Sequence, residues 1–182
     1  MDIREIPFNM NFEFDHQLRE LPVDLDAMKR GIAFLKLQFE LVADGKTAGL
    51  IGVYSRIVRD LEDAEYYLRM AVQFHEQAGN DSGIVANQIR LANALHWADQ
   101  FDEADQLLLQ TLDKVQQEES LQGYEDFVCQ HLGKSKFDQR KYSEALTWFE
   151  QALAIRRQKG NDELIQSSEN SIRVTRLKYI TE

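Results

Sequence analysis

From about residue 24 onward, apolar side chains recur at three- and four-residue spacings, the period of helices that bury one face. Leu25, Met28, Ile32, Leu35, Phe39 and Val42 form one such stripe and predict a helix over about 24–43. The same period predicts three helix pairs, with first helices at about 47–58, 83–98 and 122–138 and second helices at about 61–78, 101–118 and 142–158. A last helix is expected at about 163–179. Residues 6–15 behave differently: Ile6-Pro7-Phe8-Asn9-Met10-Asn11-Phe12-Glu13-Phe14-Asp15 alternates with a two-residue period and reads as an extended arm, within a segment 1–23 that precedes the helices. Phe8, Met10, Phe12 and Phe14 on one edge are too apolar to stay in water, so they are expected to cover the end of the first helix pair. No paired strand is expected, and Gly45 and Gly49 are placed in a helix connection.

The pairs are copies of one another. Gln77-Ala78-Gly79-Asn80-Asp81 and Gln158-Lys159-Gly160-Asn161-Asp162 lie 81 residues apart, and Ala64, Ala104 and Ala145 divide the chain at spacings of 40 and 41. Twelve residues before each alanine stands a small residue, Gly52, Ala92 or Gly133, preceded by Ile51, Leu91 or Leu132. Three before it stand Leu61, Phe101 and Tyr142; four after it, Leu68, Leu108 and Phe149; seven after it, Ala71, Thr111 and Ala152. A small residue on each helix lets two antiparallel backbones approach, while the larger ones fill the space beside the crossing. Glu62-Asp63, Asp102-Glu103 and Glu144 place acids at the positive ends of the second helices. Gly79 and Gly160 suit left-handed helix ends, and Asn80 and Asn161 suit the caps that follow.

These columns resemble the tetratricopeptide repeat, most closely at Leu132-Gly133, Tyr142-Ser143-Glu144-Ala145, Phe149 and Ala152. The resemblance covers roughly residues 45–160. The repeat exceeds the family's usual 34 residues, and the proline that ends the common second helix is replaced by Glu76, Gln116 and Arg157. It is similar to the longer, roughly 40-residue repeats of kinesin light chains and bacterial peptide-sensing regulators. The resemblance implies an all-α solenoid over 24–182, with repeats at about 45–80, 83–120 and 122–160, an N-terminal flanking helix and a C-terminal capping helix. Arg173 occupies the small-residue column of that last helix, which is expected to face solvent.

First helices line a concave groove in this family. Carried over, that puts Lys46, Leu50, Val53, Arg56 and Ile57 on the wall, then Ile89, Arg90, Asn93, His96 and Trp97, then Phe127, Gln130, His131, Lys134, Phe137 and Asp138. Lys46, Arg56, Arg90 and Lys134 are four fixed cations against one anion, Asp138. The resemblance therefore implies binding of a protein or peptide that carries a carboxylate or acidic side chains, with Asn93 holding the backbone and His96 and His131 beside it. The alternatives are that these cations pair with neighbouring acids, and that the arm lies in this molecule's own groove or in a second copy's, making a homodimer. The family's clamp for chaperone tails needs Lys or Asn where Gly49 and Val53 stand, so that ligand is not expected.

Composition narrows the function classes further. Lys plus Arg total 21 against 31 Asp plus Glu, a net charge of −10 that repels nucleic acid phosphates. Acids at Asp2 and Glu5 argue against a secretion signal, no apolar run can span a bilayer, and the single Cys129 cannot form an internal disulfide. A cytoplasmic protein is expected. His16, His75, His96 and His131 lack metal-ligand spacing, and no phosphate loop or catalytic constellation is present, so neither a cofactor nor enzymatic activity is expected. The leading reading is a non-enzymatic scaffold or adaptor; a peptide-responsive regulatory subunit and a self-assembling structural element are the alternatives.

Overall fold

A computed structural model describes residues 3–181. A one-turn 3-10 segment at Ile3–Glu5 leads into strands β1 (Phe12–Phe14) and β2 (Glu20–Pro22), then eight helices: α1 (Leu25–Leu41), α2 (Gly45–Ile57), α3 (Leu61–Gln77), α4 (Asp81–Trp97), α5 (Phe101–Gln117), α6 (Glu125–Asp138), α7 (Tyr142–Lys159) and α8 (Asp162–Thr181). The chain forms two compact units, one through Asp99 and one from Gln100 onward. Within each unit consecutive helices pack on one another, α1 to α4 in one and α5 to α8 in the other, an all-α arrangement of tetratricopeptide-like helix pairs.

In the first unit, the caps set the helix starts. Asp24, Asp44, Asp60 and Asn80 each accept a backbone amide from three residues on, at Ala27, Thr47, Asp63 and Gly83. The first helix of each pair ends on a residue in the left-handed region, Arg59, Asp99 or Arg140, so the turn recurs with the repeat although none of the three is glycine. Gly79 and Gly160 do the same at the ends of α3 and α7, as the sequence suggests. Gly45 and Gly49 lie inside α2, not in a connection. A Cβ at Gly49 would stand 2.5 Å from Asn87 Oδ1, so a larger residue here would have to push the Asn87 amide of α4 aside.

The N-terminal segment is not a simple arm. Its β1 and β2 pair antiparallel, with Phe12 opposite Pro22, Glu13 opposite Leu21 and Phe14 opposite Glu20. The turn between them is closed by Asp15, whose side chain accepts the amides of Gln17 at 2.7 Å and Arg19 at 2.9 Å. Pro22, at the end of the ladder, needs no amide to complete it. Of the four predicted contact residues only Met10 is buried and Phe8 half-buried; Phe12 and Phe14 stay exposed. Ile6 and Met10 complete a core with Met28, Ile32 and Leu35 of α1 and Ile51, Tyr54 and Ile57 of α2, while Phe8 meets Phe34 edge-on at 6.4 Å.

The second unit shows the small-residue crossing directly. A Cβ on Gly133 of α6 would lie 2.5 Å from the Phe149 ring of α7, and Phe137 meets Tyr142 edge-on at 5.7 Å beside it. Leu121 buries a 3-10 segment at Glu119–Tyr124 that delays the start of α6 to Glu125. Helix α8 runs along α7 as the expected last helix, and Arg173 is exposed. It is not a purely polar cap: Leu177, Tyr179 and Ile180 are exposed too, and a 650 Å³ cavity separates Leu177 and Ile180 from Leu153 and Ala154 of α7.

Candidate peptide-binding face

In the first unit, α2 and α4 bring the groove-column residues Arg56 and Trp97 together. The Arg56 guanidinium lies 4.3 Å from the centre of the Trp97 ring, Arg59 approaches the same ring at 4.1 Å and Arg19 at 5.5 Å. Arg56 is buried, and its charge is met by Glu20 of β2, whose carboxylate accepts from both terminal nitrogens, at 2.9 Å and 3.2 Å. The hairpin thus sits on a column position of α2. It also places Arg19 on Trp97, so the N-terminal segment, which packs through Ile6 and Met10 on α1 and α2 and not on the expected α2–α3 pair, engages this face as well.

The other predicted residues of this unit divide by exposure. Lys46 and Arg90 are exposed, and Arg90 donates at 3.1 Å to Asn87 Oδ1. Asn93 and His96 are buried; Asn93 is 2% exposed, and among the described residues nothing donates to its Oδ1. Asn93 and Trp97 are one helical turn apart and share a face of α4.

In the second unit, His131 and Lys134 are half-buried on α6, and Phe137 is buried against Tyr142. The neighbouring column residue Gln130 is drawn into a buried polar network. Arg156 of α7 donates to Asp126 at 2.8 Å, to Gln130 at 3.0 Å and to Ser168 at 2.8 Å. Gln130 in turn donates to Ser171 at 2.9 Å, and Lys159 closes on Asp126 from the rim. Every one of these acceptors and donors is paired, which is the condition for keeping charge in a core. The network fastens α8 to α6 and α7 rather than presenting a site.

Residues outside the predicted set therefore do much of the work here: Arg19, Glu20, Arg59, Asp126 and Arg156. Arg156 had a visible signal, since it continues the apolar stripe of Phe149, Ala152 and Leu153. Glu20 had none, because its partner lies 36 residues away in sequence. Cys129 is buried, and burial, aided by Glu125 and Asp126, pushes its thiol up to about 12, the opposite of what a nucleophile needs. Among the described residues no group of three His, Cys, Asp or Glu side chains could hold a metal ion, and no helix is long and apolar enough to cross a membrane.

No curated protein matches the chain. The family comparison falls on the unit with the best-formed columns, covering α6 from Val128 and essentially all of α7. Residues 128–159 match the model of the tetratricopeptide repeat, a repeat that generally binds proteins and is generally non-catalytic where it occurs.

Proposed function

We propose that this protein is a non-enzymatic scaffold or adaptor that binds a protein or peptide on the α2–α4 face of its first unit, with acidic segments as the preferred ligands. The observation that carries the reading is the set of three guanidiniums that approach the Trp97 ring, those of Arg19, Arg56 and Arg59, on a chain whose net charge is −10. Cations gathered on a desolvated aromatic face, against the overall charge, suit an acidic extended peptide rather than a nucleic acid. Lys46, Arg90 and Asn93 extend this face on α2 and α4, and His131 and Lys134 supply the corresponding positions on α6. The spacing of the left-handed turns at Arg59, Asp99 and Arg140 supports kinship with the long-repeat subclass of kinesin light chains and peptide-sensing regulators.

The test is capture from a library of acidic peptides by the full chain and by an Arg90→Glu/Asn93→Ala variant. The variant is expected to lose at least tenfold in affinity for the captured peptides. Equal capture by both proteins removes this face from the account.

A further inference from the structure

The N-terminal hairpin does more to the α2–α4 face than cover it. Leu18 and Glu20 are both buried, and the carboxylate two residues after the aliphatic side chain takes both terminal nitrogens of Arg56. This is the contact an acidic peptide would make. We infer that the segment Leu18-Arg19-Glu20 is a tethered stand-in for the ligand, and that the partner is a peptide that presents a carboxylate to Arg56 with an aliphatic residue two positions before it, and binds by displacing the segment. The inference rests on the peptide-binding reading and adds to it the ligand's chemistry and its competitor.

Four observations separate a displaceable occupant from a fixed piece of core. The anchors of the N-terminal segment, Ile6 and Met10, lie outside the hairpin, so residues 12–22 can lift while the α1–α2 core stays closed. Two three-residue strands have little stability of their own. The outward residues Phe12, Phe14, Leu21 and Val23 remain exposed, so lifting the hairpin gives up the burial of Leu18 and Glu20 and of Arg56 and Trp97 beneath them, which an incoming peptide would cover again. The fit is also imperfect: Leu18 holds a φ of 62°, a conformation that L side chains rarely adopt, and among the described residues Arg56 Nε and Asn93 Oδ1 stay buried with no hydrogen-bond partner. An incoming peptide backbone can supply a donor to Asn93 and an acceptor to Arg56 Nε, which the hairpin does not.

A tethered ligand acts at an effective concentration of roughly millimolar, so it masks the face against weak competitors and yields to strong ones. Removing its carboxylate should therefore reveal binding in trans. The probe is a fluorescent, end-blocked peptide of residues Gln17–Val23, titrated into the full-length chain and into full-length Glu20→Ala and Glu20→Gln variants, with folding of each checked by circular dichroism. The variants are expected to bind the probe at least tenfold more tightly than the wild type, and a probe carrying Gln in place of its glutamate should lose that gain. In the wild type, millimolar probe should speed amide exchange at Glu13 and Leu21 while leaving Ile32 and Leu35 protected; this readout stands even if a variant does not fold. Equal affinity in all three proteins, indifference to the glutamate of the probe, or a hairpin that stays protected in its presence would overturn the inference. Library peptides captured through Arg90 and Asn93 with the hairpin in place would leave the scaffold reading intact and remove only this one.

Discussion

Arg156 and Asp126 form an ion pair at 2.8 Å with almost no solvent around it, their side chains 2% and 0% exposed. A buried pair of this kind is costly to break from one side, because the charge left behind has lost its water. Asp126→Ala leaves both Arg156 and Lys159 without their carboxylate and should destabilise the protein by about 3–5 kcal/mol. Replacing both partners, as Asp126→Leu/Arg156→Met, should cost less than Asp126→Ala alone. Urea unfolding of the wild type and the two variants checks this, and a double variant that loses as much stability as Asp126→Ala, or more, would contradict it.

Two glycines should fail for different reasons. At Gly133 a methyl group meets the Phe149 ring, so Gly133→Ala should cost about 1–3 kcal/mol through overpacking at the helix crossing. At Gly79 nothing lies within 4 Å, but φ is +60°, so Gly79→Ala should cost only about 1 kcal/mol, from backbone strain. Enlarging Phe149's pocket with Phe149→Leu should partly rescue the first variant and leave the second unchanged. Thermal unfolding of the single and double variants separates the two causes.

Asp105 gives a pH-dependent prediction. Burial raises its carboxyl pKa, but the hydrogen bonds from Lys136 at 2.8 Å, Ser135 at 2.6 Å and Gln139 at 2.9 Å together outweigh that and hold it below its ordinary value. A carboxylate with a depressed folded-state pKa stabilises the protein above its unfolded value of 3.8, and the contribution is lost as pH falls through the lower folded-state value. The stability gap between the wild type and Asp105→Asn should therefore be constant from pH 7 to pH 5 and shrink below 3.8. A gap that is flat down to pH 2 would show that the ion pair contributes nothing.

The helices were legible because their apolar stripes and caps are local signals: α3, α5 and α7 start at the expected residues, and α6 starts late only because Leu121 buries a 3-10 turn. The strands were not, since Glu20-Leu21-Pro22 is too short to show a period and pairs with β1 through a turn built by one aspartate. The columns of the repeat located Arg56, Asn93 and Trp97 on facing helices, but not Glu20, which reaches Arg56 through tertiary structure alone. Arg156 could have been picked out as a charge in an apolar stripe, whereas its partners Asp126 and Ser168 sit on other helices and carry no such mark.

The claim on which the account turns is that ligand meets the first-helix faces. It is tested most directly by mapping backbone amide shifts on the isotope-labelled full-length protein as a captured acidic peptide is added. The largest changes are expected on α2 and α4, at Arg56, Arg90, Asn93 and Trp97. Changes confined to exposed positions of the second helices, such as Tyr66 and Leu109, would contradict it.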